Sequence, residues 1–147
     1  MTNLIYLFIS LPGDVGLLFI QLIAMLIVYC LYLNTLDKTF QTISVENRLM
    51  PSRNVWMLLI PIFNFYWHFV VVGKLADSIK AEAQTRNLEL KEERPSFNIG
   101  VGMCIFNCLS AIPNMGPYIG MVGLFCWVFY WMRIAAFKNL LQQPATY

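Results

Sequence analysis

Charge is the scarcest resource in this 147-residue chain: Lys, Arg, Asp and Glu make up 12% of it, while hydrophobic residues make up 59%. Soluble domains carry about 25% charged and about 45–50% apolar residues. A chain this short cannot hide so much apolar surface in a soluble core, so lipid must be part of its solvent. A net charge of +2 is too small to imply nucleic acid as a partner. The first 37 residues contain no Lys or Arg, so the positive start of a signal peptide is missing. Neither end carries a lipidation pattern.

Other absences narrow the chemistry. No Asp or Glu lies inside an apolar segment, Asp14 being at an edge. Intramembrane carboxylates are the usual relays of pumps and coupled carriers, so an ion-coupled carrier is disfavoured. The four cysteines, Cys30, Cys104, Cys108 and Cys126, all fall in apolar runs without a Cys-x-x-Cys pair, and are read as buried, reduced thiols. There is a single histidine, His68. With Cys104 and Cys108 at i and i+4 it would make at most a thin metal set, so no metal and no cofactor are expected. Nucleophile elbows, phosphate-binding glycine loops, His-Glu-x-x-His and paired catalytic carboxylates are absent, so no catalytic residue is assigned.

What the chain has is apolar length. Residues 4–11 are apolar but too few to span, and are expected to form a short interfacial helix or an extension of the first span. Val15 to Leu33 is the clearest span; 19 residues rise about 28 Å against a hydrocarbon thickness of about 30 Å. Phe97 to Ile112 and Tyr118 to Phe137 are two more, joined by the turn Pro113-Asn114-Met115-Gly116-Pro117. Residues 54–73 have the length of a span but carry Pro61 and Asn64 in their middle, which suggests either a Pro-kinked span or a re-entrant hairpin turning at Pro61–Asn64. Ile60-Pro61 with Asn64 and Ile112-Pro113-Asn114 echo one another weakly, as paired broken segments of a repeat can.

Between the spans lie polar segments, 34–53 and 74–96. Leu36, Phe40, Ile43 and Met50 share one face of a helix over 35–50, read as amphipathic in the membrane plane or as a connector packed on the bundle, and ended by Pro51. Leu75, Ile79 and Ala83 recur at spacing 4, which extends the preceding helix into water to about Asn87. Leu88 to Pro95 reads as a solvated loop.

The basic residues set orientation. Loop 34–53 holds Lys38, Arg48 and Arg53; loop 74–96 holds Lys74, Lys80, Arg86, Lys91 and Arg94; Arg133 and Lys138 close the chain. Four full spans place either three or seven of these ten inside, whereas a re-entrant 54–73 places all ten inside with the N-terminus outside and the C-terminus cytoplasmic. A four-span arrangement with both ends cytoplasmic is the alternative.

Candidate sites are few. Asn64, His68 and Asn107 are polar groups at membrane depth and could line a groove; with Asn98 and Gln21 they could equally hydrogen-bond between helices. Pro61, Pro113 and Asn114 mark turns. Gly116, Gly120 and Gly123, like Gly100, Gly102 and Cys104, let helices approach closely, either between copies or within the 97–137 hairpin. Arg133 is expected to snorkel to the inner headgroups as an interface anchor, and Trp127 with Trp131 forms an aromatic ridge.

At Val55-Trp56-Met57-Leu58-Leu59-Ile60-Pro61-Ile62-Phe63-Asn64, at Ala76-Asp77-Ser78-Ile79-Lys80-Ala81-Glu82 and at Cys126-Trp127-Val128-Phe129-Tyr130-Trp131 the chain resembles small bacterial multi-pass membrane proteins with no assigned activity. The resemblance covers residues 35–140 and implies a bacterial inner-membrane location and no reaction.

The sequence is thus read as one all-α polytopic membrane domain, with three full spans, a re-entrant or kinked fourth segment and cytoplasmic amphipathic helices. The expected function is a non-catalytic accessory, scaffold or assembly subunit, in the bilayer with further copies of itself or a protein partner. The alternatives are a small oligomeric channel or permeation protein, and a membrane redox or haem protein.

Overall fold

A computed structural model describes residues 13–90, 92–112 and 116–143. Residues 4–11 and the turn residues Pro113 and Asn114 lie outside the described residues. Among the described residues the fold is all-α, with no strand: α1 (Gly13–Thr42), a 3-10 helix (Ser52–Leu59), α2 (Phe63–Thr85), α3 (Phe97–Leu109) and α4 (Gly116–Gln142). Two helices, over Val15–Thr42 and Tyr118–Gln142, are long and apolar enough to cross a membrane. At 13 residues, α3 rises roughly 20 Å, less than a hydrocarbon core.

The chain forms two units, residues 1–32 and 33–147. In the described part of the first, Leu17, Leu18, Phe19, Ile20, Leu22, Ile23, Met25, Leu26 and Ile27 are all exposed, so α1 is apolar on every side there. In the second, α4 packs along α3, α3 on α2 and the 3-10 helix on α2.

The in-plane helix over 35–50 is corrected. Helix α1 continues through Leu36 and Phe40 and stops at Thr42, and residues 43–51 are turns, bends and irregular chain. Leu36, Phe40, Ile43 and Met50 are nevertheless buried, as a packed connector requires. Two arginines cover its end, Arg48 six residues on and Arg86 from the end of α2. Arg48 Nη2 donates to the Ile43 carbonyl at 2.9 Å, and Arg86 Nη2 reaches the Thr42 carbonyl at 3.4 Å. Cations on the last, unpaired carbonyls of a helix satisfy them and complement its dipole.

The stretch 54–73 is not one helix. The 3-10 helix ends at Leu59, and α2 begins at Phe63 after Ile62, whose φ of 45° is strained for a β-branched residue. Trp67 Nε1 donates to the Asn54 carbonyl at 2.8 Å. In a continuous helix those residues would stand about 20 Å apart, beyond the reach of a tryptophan. The chain therefore doubles back at 60–62, leaving Ile60 and Ile62 exposed at the tip.

Helix α2 ends where its sequence suggests. Asn87 takes a left-handed φ of 55°, the Leu88 N–H returns to the Ala83 carbonyl at 2.8 Å, and the Asn87 N–H to the Gln84 carbonyl at 3.2 Å. This pair of bonds is a Schellman cap, in which asparagine can replace glycine. Leu75, Ile79 and Ala83 are buried along its face.

Three helices meet at Gly100. A Cβ there would lie 2.5 Å from Val72 Cγ1 and 2.8 Å from the Tyr130 ring. Gly100→Ala should therefore cost about 1–3 kcal/mol by overpacking. The expected outcome is a lower Tm in detergent micelles, partly recovered by Val72→Ala in the same chain.

Candidate functional site

The densest polar cluster was read from sequence as solvated. Glu82 lies at i+7 from Leu75 and i+3 from Ile79, on the buried face of α2, and is 1% exposed. Its carboxylate accepts the Ser44 N–H at 3.0 Å, the Ser44 hydroxyl at 2.9 Å and Asn47 Nδ2 at 2.8 Å. Arg86, one turn on, supplies Nε at 2.8 Å and Nη2 at 2.6 Å. Arg86 Nη1 also donates to the Leu141 carbonyl at 2.6 Å. One carboxylate and one guanidinium thus join the end of α1, the 43–50 turns, α2 and the end of α4.

Neighbouring pairs extend this layer. The loop 88–95 was expected to be solvated, but Arg94 forks onto both oxygens of Asp77 at 2.8 Å and stacks 3.7 Å over the Phe97 ring. Glu92 accepts the Ser96 N–H at 3.0 Å and pairs with Arg133 at 2.8 Å; Glu93 pairs with Lys80 at 3.3 Å. Arg133, expected at the lipid headgroups, is held by that loop. Trp131 Nε1 donates to the Thr35 hydroxyl at 3.0 Å, and the Leu49 N–H to the Ser78 hydroxyl at 3.0 Å. The signal missed was the burial of Glu82, legible from its offset to Leu75 and Ile79 and from the favourable Glu82–Arg86 order at i and i+4.

The polar residues expected at membrane depth divide. Asn64 and His68 share one face of α2, with His68 buried and Asn64 half-buried just after the 60–62 turn. Asn107 instead faces α4, its Oδ1 3.2 Å from where a Cβ of Gly123 would stand. Gly123 and Gly116 also face inward; a Cβ on Gly116 would lie 2.5 Å from the Ser110 carbonyl oxygen, and one on Gly120 3.6 Å from Ser110 Cβ. These glycines serve the α3–α4 hairpin. Gly102 has open space around it. Cys104 is buried and Cys108 exposed, so not every cysteine is enclosed as expected. Among the described residues no three His, Cys, Asp or Glu side chains gather to hold a metal.

No protein-family model matches the chain, and neither does any curated protein or solved structure. The residues themselves therefore carry the functional argument.

The electrostatics of Glu82 give two checks. Burial pushes its carboxyl up, but the bonds from Asn47, Ser44 and Arg86 together outweigh that and hold it below the usual carboxylate range. A depressed folded value contributes stability that is fully present above the unfolded value, near 4.5, and is lost as pH falls through the folded one. Unfolding followed from pH 7 to pH 3 should show this loss. Glu82→Gln should lack that part of the acid dependence and lose about 2–4 kcal/mol at neutral pH, below the full cost of breaking a buried pair because Arg86 keeps some water contact. Asp77→Asn, in a half-exposed pair, should cost about 1 kcal/mol or less.

Proposed function

We propose that the chain is a small, non-catalytic integral membrane protein, an accessory or scaffold subunit that presents a rigid polar layer on the cytoplasmic side of a bacterial inner membrane. The observation that carries this is the use made of its charges. Glu82, Arg86, Asp77, Arg94, Glu92 and Arg133 are engaged with one another, binding helix ends and loops together. The first half of α4 instead exposes Tyr118, Met121, Leu124, Phe125 and Phe129. Charges committed to internal pairing favour a scaffold over a catalyst.

The same layer supports a topology. The end of α1, the turn at Leu49, the second half of α2 and the end of α4 are tied together by side-chain bonds. Segment 52–73 thus leaves the layer and returns to it, which is the parity of a re-entrant hairpin. α1 and α4 would then cross completely. α3 would climb from the layer to the start of α4, with the bilayer thinned around its 13 residues. Ten basic residues inside agree with the positive-inside rule.

Single cysteines in a cysteine-free background test the topology. Those at Glu46, Arg53, Gln84 and Asn139, all exposed, should resist a membrane-impermeant thiol reagent in intact cells and label once the cells are opened. Ile112→Cys, exposed just beyond the other end of α3, should label from outside. Labelling of Glu46 and Arg53 from outside would refute the hairpin. For function, the chain should leave mild detergent in an assembly larger than its monomer, and reconstituted vesicles should leak solute no faster than empty ones. Flux that Asn107→Leu abolishes would transfer the case to a channel.

A further inference from the structure

The glycine face of α4 is spent on α3, so lateral association must use another surface. Helix α1 offers one. Its first two-thirds expose large apolar side chains on every side, which lipid can cover, except at one position. Gln21 is exposed and sits near the middle of the apolar stretch. A carboxamide has two donors and an acceptor to satisfy, and acyl chains provide no partners.

The residues around Gln21 form a seam. Leu17, Gln21, Ala24, Val28 and Leu31 follow one another at spacings of 4, 3, 4 and 3, the heptad repeat that keeps one stripe facing a partner helix. All five are exposed, Leu17 at 67% and Leu31 at 52%. Ala24, one turn beyond Gln21, is small enough for two backbones to approach. A single polar residue at such a seam fixes register, because sliding by a turn would leave its amide against hydrocarbon.

Building on the membrane reading above, we propose that α1 pairs with α1 of a second copy in a parallel, two-fold dimer, Gln21 hydrogen-bonding to Gln21 across the axis. Both copies enter the bilayer with the same orientation, so a parallel pair brings identical positions together. An amide is self-complementary: each can donate to the other's carbonyl. The interface is isologous and closes at two copies.

The test uses the full chain in lipid bilayers, with native cysteines replaced and single cysteines placed along 17–31. Oxidation should link copies through Leu17→Cys, Ala24→Cys and Val28→Cys, and spare Leu18→Cys, Leu22→Cys and Leu26→Cys. Energy transfer between labelled copies should report that Gln21→Leu weakens the dimer roughly 3- to 20-fold, with Gln21→Asn retaining most of it. Links of equal yield on all faces, a maximum on another stripe, links to proteins other than a second copy, or an unchanged dimer in Gln21→Leu would each overturn the proposal. Extraction at alkaline pH separates this from failure of the membrane reading. A chain that stays in the membrane pellet but remains monomeric overturns the dimer alone, whereas a chain released to the supernatant overturns the reading beneath it.

Discussion

A carboxylate cannot be buried without donors, and Glu82 is buried almost completely. Its side chain must find several hydrogen bonds at once, and no single neighbour supplies them. Ser44 and Asn47 come from the turns after α1, and Arg86 from the next turn of α2. Arg86 in turn has donors to spare, and uses them on carbonyls left unpaired at the ends of α1 and α4. The desolvation of one acid is thereby offset by satisfying two helix ends that would otherwise need caps of their own. The last turn of α1 carries no basic residue, and its end is covered instead by Arg48 and Arg86.

Fixing both ends of a segment constrains its middle. Residues 49 and 78 are joined by a hydrogen bond, as are 54 and 67, and 60–62 turns the chain between them. Pro61 cannot donate a backbone bond, so a helix through it would already be weakened. Ile62 then accepts a φ of 45°, a conformation a β-branched residue does not choose freely. Local strain of this kind costs on the order of 1–3 kcal/mol and persists only where the surroundings over-determine it. The bonds on either side of the tip do that.

The parts of this fold legible in the sequence are those governed by periodicity. The faces Leu36–Phe40–Ile43 and Leu75–Ile79–Ala83 are buried as their spacing indicates, and α2 ends at Thr85 with its cap at Asn87, close to where its spacing places the end. What could not be read was set by partners distant in sequence. The in-plane helix failed in part because Arg86, which reaches the last carbonyl of α1, lies 44 positions away. The 88–95 loop looked solvated because alternating charges are the mark of a free loop, yet Arg94 and Glu92 find Asp77 and Arg133 17 and 41 positions away. Glycine spacing announced close helix contact without saying whose; only the Ser110 carbonyl beneath Gly116 and the Asn107 amide beneath Gly123 assign it to α3.

In the membrane arrangement proposed above, the polar groups of this chain meet two different solvents, and the difference sorts their roles. In the layer, a salt bridge competes with water, so an exposed pair such as Lys80–Glu93 is worth little and only the desolvated ones hold the fold. Their partners must be internal, because solvent would otherwise replace them. In the span the competition is reversed. Hydrocarbon replaces no hydrogen bond, so an amide needs a protein partner even where it is fully exposed on its own chain. The physical cost that turns Glu82 inward is the one that, in the dimer proposed above, Gln21 meets across the α1 seam.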